Sequence, residues 1–191
     1  MYDAIVPAGG RGRRLGGTDK PGLVVGDRTL LERVVAAVAT ADRVVVVGPR
    51  RPLDRDVIWC QEDPAGAGPV AALAAGLPHT AADVLVVLAA DLPYVAPAVP
   101  RLLRALDESG ADVALLADPD GRVNNLAAAW RRTALRSALA AVGDPAGGAV
   151  RSLVAAATAV LVPDAGGWGR DCDTWDDVAA ARAAEGIGRD D

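Results

Sequence analysis

Short apolar runs alternate with longer stretches of helical periodicity along this chain. The apolar runs, which predict β-strands, cover residues 2–6, 43–47, 57–59, 84–88, 111–116, 126–130 and 159–162. The stretches that predict helices cover residues 30–39, 70–77, 97–108, 133–141, 151–156 and 178–184. This alternation is typical of βαβ units with a parallel sheet. It predicts the α/β class, with a three-layer, Rossmann-like open sheet that is mostly parallel.

The first and last predicted helices carry start signals. The apolar positions of the first helix share one face: Leu30, Leu31, Val34, Val35 and Val38. Thr29 precedes this helix as a candidate N-cap, and Glu32 three residues later completes a capping box. For the last helix, Thr174 and Asp176 are both candidate caps. Within the predicted strand at 43–47, residues 44–47 are four consecutive valines, which indicates a strand buried on both faces.

Neither an internal repeat nor a long linker interrupts the pattern. We therefore expect a single domain over residues 1–185 and a frayed tail over residues 186–191. In open α/β sheets, ligands bind beyond the carboxyl ends of the strands. The loops at residues 8–20, 60–69 and 90–94 each follow a predicted strand. We expect these three loops to meet at one edge of the sheet.

Composition excludes several classes of protein. The 191 residues are 51% hydrophobic and 24% charged, which indicates a globular protein, and no apolar run reaches the roughly 20 residues of a membrane span. A net charge of −5 argues against general nucleic-acid binding. The sequence contains only two cysteines, Cys60 and Cys172, and one histidine, His79. These are too few for a disulfide framework or a zinc site to be a favourable interpretation. The start lacks a basic region before an apolar one, so we predict a cytoplasmic protein without a signal peptide.

The loop at residues 8–20 is the strongest candidate for chemistry. It holds five glycines and four cations, which are Arg11, Arg13, Arg14 and Lys20. Glycines let the backbone approach a ligand, and successive N–H groups in such a turn form a concave anion site. Arginine suits bidentate contacts with phosphate. A solvated basic surface loop is the alternative, but the position directly after a strand favours a polyphosphate site.

Two familiar phosphate motifs do not match this loop. The spacing from Gly12 to Gly17 fits a P-loop, but Thr18 and Asp19 stand where Lys and Ser or Thr are required. The dinucleotide fingerprint also fails, because Leu15 stands where its third glycine belongs. An NAD-dependent oxidoreductase is therefore disfavoured.

The loop resembles the signature Leu-Ala-Gly-Gly-x-x-x-Arg-Met-Gly-Gly-x-Asp-Lys of the molybdenum cofactor guanylyltransferases. Here residues 6–10 read Val-Pro-Ala-Gly-Gly and residues 14–20 read Arg-Leu-Gly-Gly-Thr-Asp-Lys. The resemblance extends in four separated blocks from Ile5 to about Ala181. Two segments depart from the family pattern. Pro7 lacks a backbone N–H near the nucleotide, and residues 122–125 lack the family's Pro-containing polar pair on the acceptor side.

Carboxylates after two apolar segments are candidate metal ligands. Asp91 ends a very apolar strand, where a carboxylate is a poor core residue and a good Mg²⁺ ligand. The alternative is that Asp91 caps the turn before Pro93. The resemblance implies that Asp91 holds the metal, with Asp173 as the second ligand and Asp171 as the alternative. A role of these aspartates at the N-terminus of the last helix is compatible with this.

The resemblance also implies which residues serve the nucleotide. Arg14, Lys20 and Asp91 are the implied catalytic residues. The implied nucleotide-binding residues are Pro7, Ala8, Gly9, Gly10, Arg11, Lys20, Asp63, Gly68 and Asp91. Arg11 and Arg13 are also compatible with solvated charges, and His79 is expected on a surface turn.

By this resemblance the reaction is nucleotidyl transfer. GMP moves from GTP to a phosphorylated acceptor, molybdopterin, and pyrophosphate leaves, with Mg²⁺ (or Mn²⁺) as the cofactor. A terminal phosphate oxygen is already an anion, so no general base is needed and catalysis rests on positioning and electrostatics. The alternatives are a related cytidylyltransferase, a guanylyltransferase with another phosphate acceptor, and a nucleotide-binding module without turnover. Transient contacts with cofactor-biosynthesis or acceptor proteins are a further implication.

Overall fold

The computed structural model describes residues 1–9 and 16–187, so Gly10, Arg11, Arg13 and Arg14 lie outside the described residues. Its strands are β1 (Asp3–Pro7), β2 (Val24–Val25), β3 (Arg28–Thr29), β4 (Val44–Val47), β5 (Ile58–Cys60), β6 (Val84–Leu88), β7 (Val113–Ala117), β8 (Val123–Arg131) and β9 (Ala159–Pro163). Its helices are α1 (Leu30–Ala37), α2 (Pro69–Gly76), α3 (Ala98–Ser109), α4 (Arg132–Val142), α5 (Val150–Ala155) and α6 (Trp175–Ile187). Every predicted element is present, with bounds displaced by a few residues.

The strands form a mostly parallel, open sheet. Their order is β5-β4-β1-β6-β8-β7-β9, and only β8 runs antiparallel to its neighbours in this sheet. The carboxyl ends of β5, β4, β1 and β6 therefore lie along one edge. The short strands β2 and β3 form a separate hairpin after the first loop. The predicted α/β class and mostly parallel sheet are confirmed.

Helices cover both faces of the sheet. Residues of α1 and α3 pack on one face together with alternate residues of β1, β4 and β6. Residues of α2, α4 and α5 pack on the other face, around the fully buried Trp130. All four residues of β4 are buried, as the continuous apolar run predicts. Burial of so much aliphatic surface, at about 25 cal/mol per Å², is what holds the two layers against the sheet.

The helix caps follow the sequence signals. The Thr29 side chain accepts a hydrogen bond from the Glu32 N–H, and the Glu32 carboxylate accepts one from the Thr29 N–H, so the predicted capping box is confirmed. At the last helix Thr174, and not Asp176, makes the cap, paired with Asp177. This capping box starts α6 three residues earlier than predicted. No helix in the described residues is long and apolar enough to cross a bilayer.

Candidate nucleotide and metal site

A cavity of about 440 Å³ lies beyond the carboxyl ends of β1, β5 and β6. Its wall includes Pro7 at the end of β1, Glu62 after β5 and Asp91 after β6. Lys20 from the first loop and Asp173 from the segment before α6 complete it. The prediction that the loops after these strands meet at one edge is confirmed for the described residues. The cavity volume suits a small ligand.

Lys20 joins the two carboxylates that the sequence predicts as metal ligands. Its Nζ lies 2.5 Å from Asp91 Oδ2 and also donates a hydrogen bond to Asp173 Oδ1. Burial alone would lower the pKa of Lys20, but the charges of Asp91 and Asp173 and the hydrogen bonds to both raise its pKa above the usual value. Lys20 is therefore a protonated ammonium at the meeting point of both carboxylates. It is also the only lysine in the sequence, among 20 lysine and arginine residues.

A short 3₁₀ turn and an ion pair hold the backbone at Lys20. The turn covers Lys20–Gly22, and Asp19 precedes it. Arg51, in the loop after β4, donates hydrogen bonds from Nε and Nη2 to the Asp19 carboxylate, which lowers the pKa of Asp19. A Cβ at Gly22 would come within 2.6 Å of Asp19 Oδ2, so any larger residue here would displace the carboxylate that Arg51 holds.

The capping box of α6 positions Asp173. The Asp177 carboxylate accepts hydrogen bonds from the backbone N–H groups of Asp173 and Thr174, at 3.1 and 2.7 Å. On the opposite side, the Cys172 N–H donates to the Asp91 carbonyl at 3.2 Å, which ties this segment to the end of β6. Two carboxylates that are 82 positions apart in the sequence thus come within reach of one cation.

The pair Asp91 and Asp173 fits Mg²⁺. This ion usually binds proteins through one or two carboxylates and takes its remaining ligands from substrate phosphates and water. Among the described residues, no group of three or more His, Cys, Asp or Glu side chains converges into a ready-made metal cage.

Asp171 takes a different position from Asp173. It lines a separate, larger cavity, whereas Asp173 lines the same cavity as Lys20 and Asp91. Burial and the nearby charges of Asp173 and Asp91 raise the pKa of Asp171. Of the two alternatives left open by the sequence, the geometry favours Asp173 as the partner of Asp91.

Glu62 is a site residue that sequence reasoning missed. Its side chain lines the cavity and is only 6% exposed, whereas Asp63, the predicted residue, is exposed and lies outside the wall. Glu62 Oε1 accepts a hydrogen bond from the Gly66 N–H at 2.9 Å, and Oε2 is buried without a partner among the described residues. Leaving a buried carboxylate oxygen unpaired is costly, so Oε2 is suited to accept a hydrogen bond from a ligand.

Glycine, proline and apolar residues form the remainder of the wall. Pro7, Gly9 and Gly68 line the cavity, as predicted for nucleotide-binding positions, while Ala8 is buried behind them. Gly48 permits this packing, because its φ is +142° and a Cβ there would lie 2.9 Å from the Ala8 carbonyl carbon. His79 lies on an exposed 3₁₀ turn outside the cavity wall, as expected.

Comparison with known proteins places this geometry in a family. The family model described as MobA-like NTP transferase domain matches residues 4–160. The chain belongs to this family. Its described site residues Pro7, Lys20, Glu62 and Asp91 all fall within the matched residues, whereas Asp173 lies beyond them.

Curated relatives carry a more specific name than the MobA-like family. The chain is 37% identical over 135 residues to a molybdenum cofactor guanylyltransferase of Acidiphilium cryptum, a match that covers 66% of this chain and 65% of that protein. A relative of the same name from Shewanella amazonensis is 28% identical over 122 residues. The match covers 62% of that protein, so the chain spans less than two thirds of the length of either relative.

Solved structures confirm the MobA-like fold. The molybdopterin-guanine dinucleotide biosynthesis protein A of Archaeoglobus fulgidus superposes with a TM-score of 0.74 at 21% identity, over 98% of this chain and 100% of that one. The 2-C-methyl-D-erythritol 4-phosphate cytidylyltransferase of Thermus thermophilus gives the same TM-score at 24% identity, over 96% and 98%. The fold is thus shared by proteins named for guanylyl and for cytidylyl chemistry.

A second cavity, of about 1070 Å³, adjoins the first in this MobA-like chain. Leu126 on β8 lines both cavities, and Asp171 lines the larger one. The arginines on its wall are Arg122, Arg151 and Arg170. The aspartates on its wall, besides Asp171, are Asp118, Asp120 and Asp164. The chain therefore offers two spaces side by side, one on each side of Leu126.

One wall of the second cavity is a loop with fixed internal bonds. Asp164 accepts hydrogen bonds from the backbone N–H groups of Trp168 and Gly169, at 2.7 and 2.9 Å. Asn124 on β8 donates to the Gly169 carbonyl at 2.9 Å. A Cβ at Gly169 would lie 2.9 Å from the Leu116 side chain, so the loop packs closely on the sheet. This wall is therefore formed before any ligand binds.

Proposed function

We propose that this protein transfers GMP from GTP to a phosphorylated, molybdopterin-type acceptor with release of pyrophosphate. The observation that carries the proposal is the position of Lys20, Asp91 and Asp173 in a cavity that shares the Leu126 wall with a second, larger cavity. Transfer between two substrates requires two adjacent spaces with the charged groups near their boundary. The nucleotidyltransferase family and the names of the curated relatives support the same reaction class.

In this proposal an anionic oxygen of the acceptor phosphate attacks the α-phosphorus of GTP. A new P–O bond forms, the bond between the α-phosphorus and the bridging oxygen breaks, and pyrophosphate leaves with the electron pair. Lys20 and Arg14 stabilise the charge that develops on pyrophosphate, the role of Arg14 being taken from the sequence resemblance. Asp91 and Asp173 would hold Mg²⁺, which would neutralise phosphate charge when bound. No side chain has to remove a proton, because the attacking oxygen is already ionised.

Base selection is assigned in this proposal to Glu62. Guanine presents two adjacent donors, N1–H and the N2 amino group, to a carboxylate acceptor. Glu62 lies in the cavity wall, and its Oε2 is buried with no hydrogen-bond partner among the described residues. A base that leaves this buried oxygen unpaired loses binding energy, which is how such a site discriminates strongly. Backbone groups at Gly66 and Gly68 complete the contact region.

The acceptor is assigned to the second cavity. Arg122, Arg151 and Arg170 supply donors suited to a phosphate group, and the fixed loop at residues 164–170 provides a preformed wall. Backbone N–H groups donate hydrogen bonds to two of the four aspartates on this wall, Asp164 and Asp118, and partly offset the negative charge of these two carboxylates. A phosphorylated acceptor with a bulky polar body fits such a space.

Cytidylyl transfer is the second candidate. The Thermus thermophilus neighbour is named as a cytidylyltransferase. The cytosine N4 amino group can also donate a hydrogen bond to a glutamate carboxylate. We favour guanine because the curated relatives are named guanylyltransferases and because guanine offers two donors where cytosine offers one. A guanylyl transfer to another phosphate acceptor would use the same described residues.

Two experiments test the proposal. Calorimetric titration of GTP, CTP, ATP and UTP with Mg²⁺ is expected to show tightest binding of GTP. Tighter binding of CTP than of GTP would indicate that the protein is a cytidylyltransferase. A pyrophosphate-release assay with GTP, Mg²⁺ and molybdopterin is expected to show turnover. Specific GTP binding without pyrophosphate release would instead indicate a nucleotide-binding module. Mn²⁺ is expected to replace Mg²⁺, and the proposed setting is the cytoplasm, with transient contacts to proteins of cofactor biosynthesis.

A further inference from the structure

The ammonium group of Lys20 occupies the position toward which both proposed metal ligands point. Its Nζ contacts Asp91 Oδ2 at 2.5 Å and Asp173 Oδ1 at hydrogen-bond distance. A Mg²⁺ ion bound by the same two oxygens would sit about 2.1 Å from each of them. The ammonium and the metal ion therefore cannot both occupy this place, and one cation must leave when the other binds.

The type of residue suits this exchange. Lysine carries a compact ammonium on a flexible four-carbon stem, whereas arginine carries a broad planar fork. The chain uses arginine for every basic position except this one, so the compact cation stands only where it contacts both proposed metal ligands. The backbone of Lys20 is meanwhile held by the 3₁₀ turn and by the ion pair between Asp19 and Arg51. The side chain can thus move while its backbone stays in place.

The direction of movement follows from the cavity. Lys20 lines the same cavity as Pro7, Gly9 and Gly68, where a triphosphate would lie under the proposed function. An ammonium that leaves two carboxylates loses two ion pairs in a site where its side chain is only 13% exposed. Phosphate oxygens entering this cavity are anionic acceptors that can replace them. A metal ion without a nucleotide offers no such replacement.

We propose that Lys20 closes the metal position in the nucleotide-free protein and is released to the phosphates when metal and triphosphate bind together. This inference rests on the proposed function, because it takes Asp91 and Asp173 as the metal ligands. It goes further by making metal binding conditional on the nucleotide. The free metal ion competes with a tethered ammonium, whereas the metal–nucleotide complex brings a new partner for that ammonium.

Two measurements on the full chain test this. The first is titration with Mn²⁺, followed by electron paramagnetic resonance, with and without a non-hydrolysable GTP analogue, on the natural protein, Lys20→Met and Asp91→Asn. The second uses protein labelled with ¹⁵N at lysine Nζ. Because Lys20 is the only lysine, one side-chain resonance reports its surroundings during titration with Mg²⁺ alone, with the analogue alone and with both.

We expect the natural protein to bind Mn²⁺ weakly alone and about tenfold or more tightly with the analogue, within the usual range of coupling between ligands. Lys20→Met is expected to bind Mn²⁺ alone about tenfold more tightly than the natural protein, and to lose most of the gain from the analogue. The Nζ resonance should stay in place with Mg²⁺ alone and shift when both ligands are present. Circular dichroism of each variant confirms that it is folded.

The outcomes separate this inference from the proposed function. Equal binding of Mn²⁺ alone by the natural protein and Lys20→Met, or an Nζ shift with Mg²⁺ alone, would overturn the closure by Lys20. If Asp91→Asn still abolished nucleotide-dependent Mn²⁺ binding in that case, the proposed metal site would stand. Unchanged Mn²⁺ binding by Asp91→Asn would instead contradict the proposed metal site itself.

Discussion

Arg51 clamps the carboxylate of Asp19, the residue immediately before Lys20, with Nε 2.9 Å and Nη2 2.5 Å from its oxygens. Arg51 also donates from Nη1 to the Pro49 carbonyl at 2.9 Å, which fixes its own loop. The contact joins the loop after β4 to the first loop across 32 residues of sequence. Neither Arg51 nor Asp19 lines the cavity wall. The contact therefore holds the backbone next to Lys20 from outside the cavity.

The first prediction follows from this clamp. Arg51→Met should lower kcat/KM for GTP by about tenfold, roughly 1.4 kcal/mol, because the backbone at Lys20 loses its anchor. Arg51→Lys should recover only part of this loss, since an ammonium cannot make the forked contact. The exposed neighbour Arg50 provides the matched control Arg50→Met. Equal kinetics of the two methionine variants would mean that the clamp does not position Lys20.

The second prediction concerns the carboxylates. Asp91→Asn and Asp173→Asn should each lower turnover by more than about a hundredfold at fixed Mg²⁺, because a neutral amide replaces an anionic ligand. Asp171→Asn, two positions away, is the matched control, and we expect it to alter KM for the acceptor more than turnover, since Asp171 lines the second cavity. If Asp171→Asn removed turnover and Asp173→Asn did not, the two assignments would be exchanged.

The sheet could be predicted from the sequence because its signals are local. The strand β6 lies at Val84–Leu88 as predicted, since a continuous apolar run leaves few alternatives. The strand β8 begins three residues before its prediction, at Val123. The prediction missed this start because Asn124 and Asn125 are polar and do not continue the apolar run. The Asn124 side chain is accommodated by a hydrogen bond to the Gly169 carbonyl, a tertiary contact that the local sequence does not show.

Within the site, motif positions were predictable and side-chain burial was not. Asp91 and Lys20 stand out by spacing and by their position after strands, and the structure brings them together. Glu62 and Asp63 are adjacent acids in one Gly/Pro-rich loop, so nothing local shows which of them turns inward. The hydrogen bond from the Gly66 N–H to Glu62 decides it. The clamp by Arg51 likewise has no sequence signature, because its partner is distant.

A third prediction concerns the pH dependence of stability. Hydrogen bonds from Thr29 lower the pKa of Glu32 in the folded chain below its ordinary value of 4.5. Stability from the charged capping box is therefore complete above about pH 4.5 and is lost as pH falls through the folded pKa. Glu32→Gln should lower the free energy of unfolding at pH 7, and the difference from the natural protein should diminish as the pH falls below 4.5 through the folded pKa. Urea unfolding at a series of pH values from 7 downward measures this, with Glu108→Gln on α3 as the control.

The final prediction concerns the base. Glu62→Gln should reduce the preference for GTP over ATP by at least tenfold, because an amide can present its NH₂ group where the carboxylate only accepts. Binding of the triphosphate itself should persist, since Lys20 and the backbone of the first loop are unchanged. Asp63→Asn is the matched control at the exposed neighbouring acid, and it should leave the preference intact. Calorimetric titration of both variants with GTP and ATP in Mg²⁺ measures the ratio. If Asp63→Asn lost the preference for GTP and Glu62→Gln kept it, the base would be selected by Asp63, the residue that the sequence resemblance indicated.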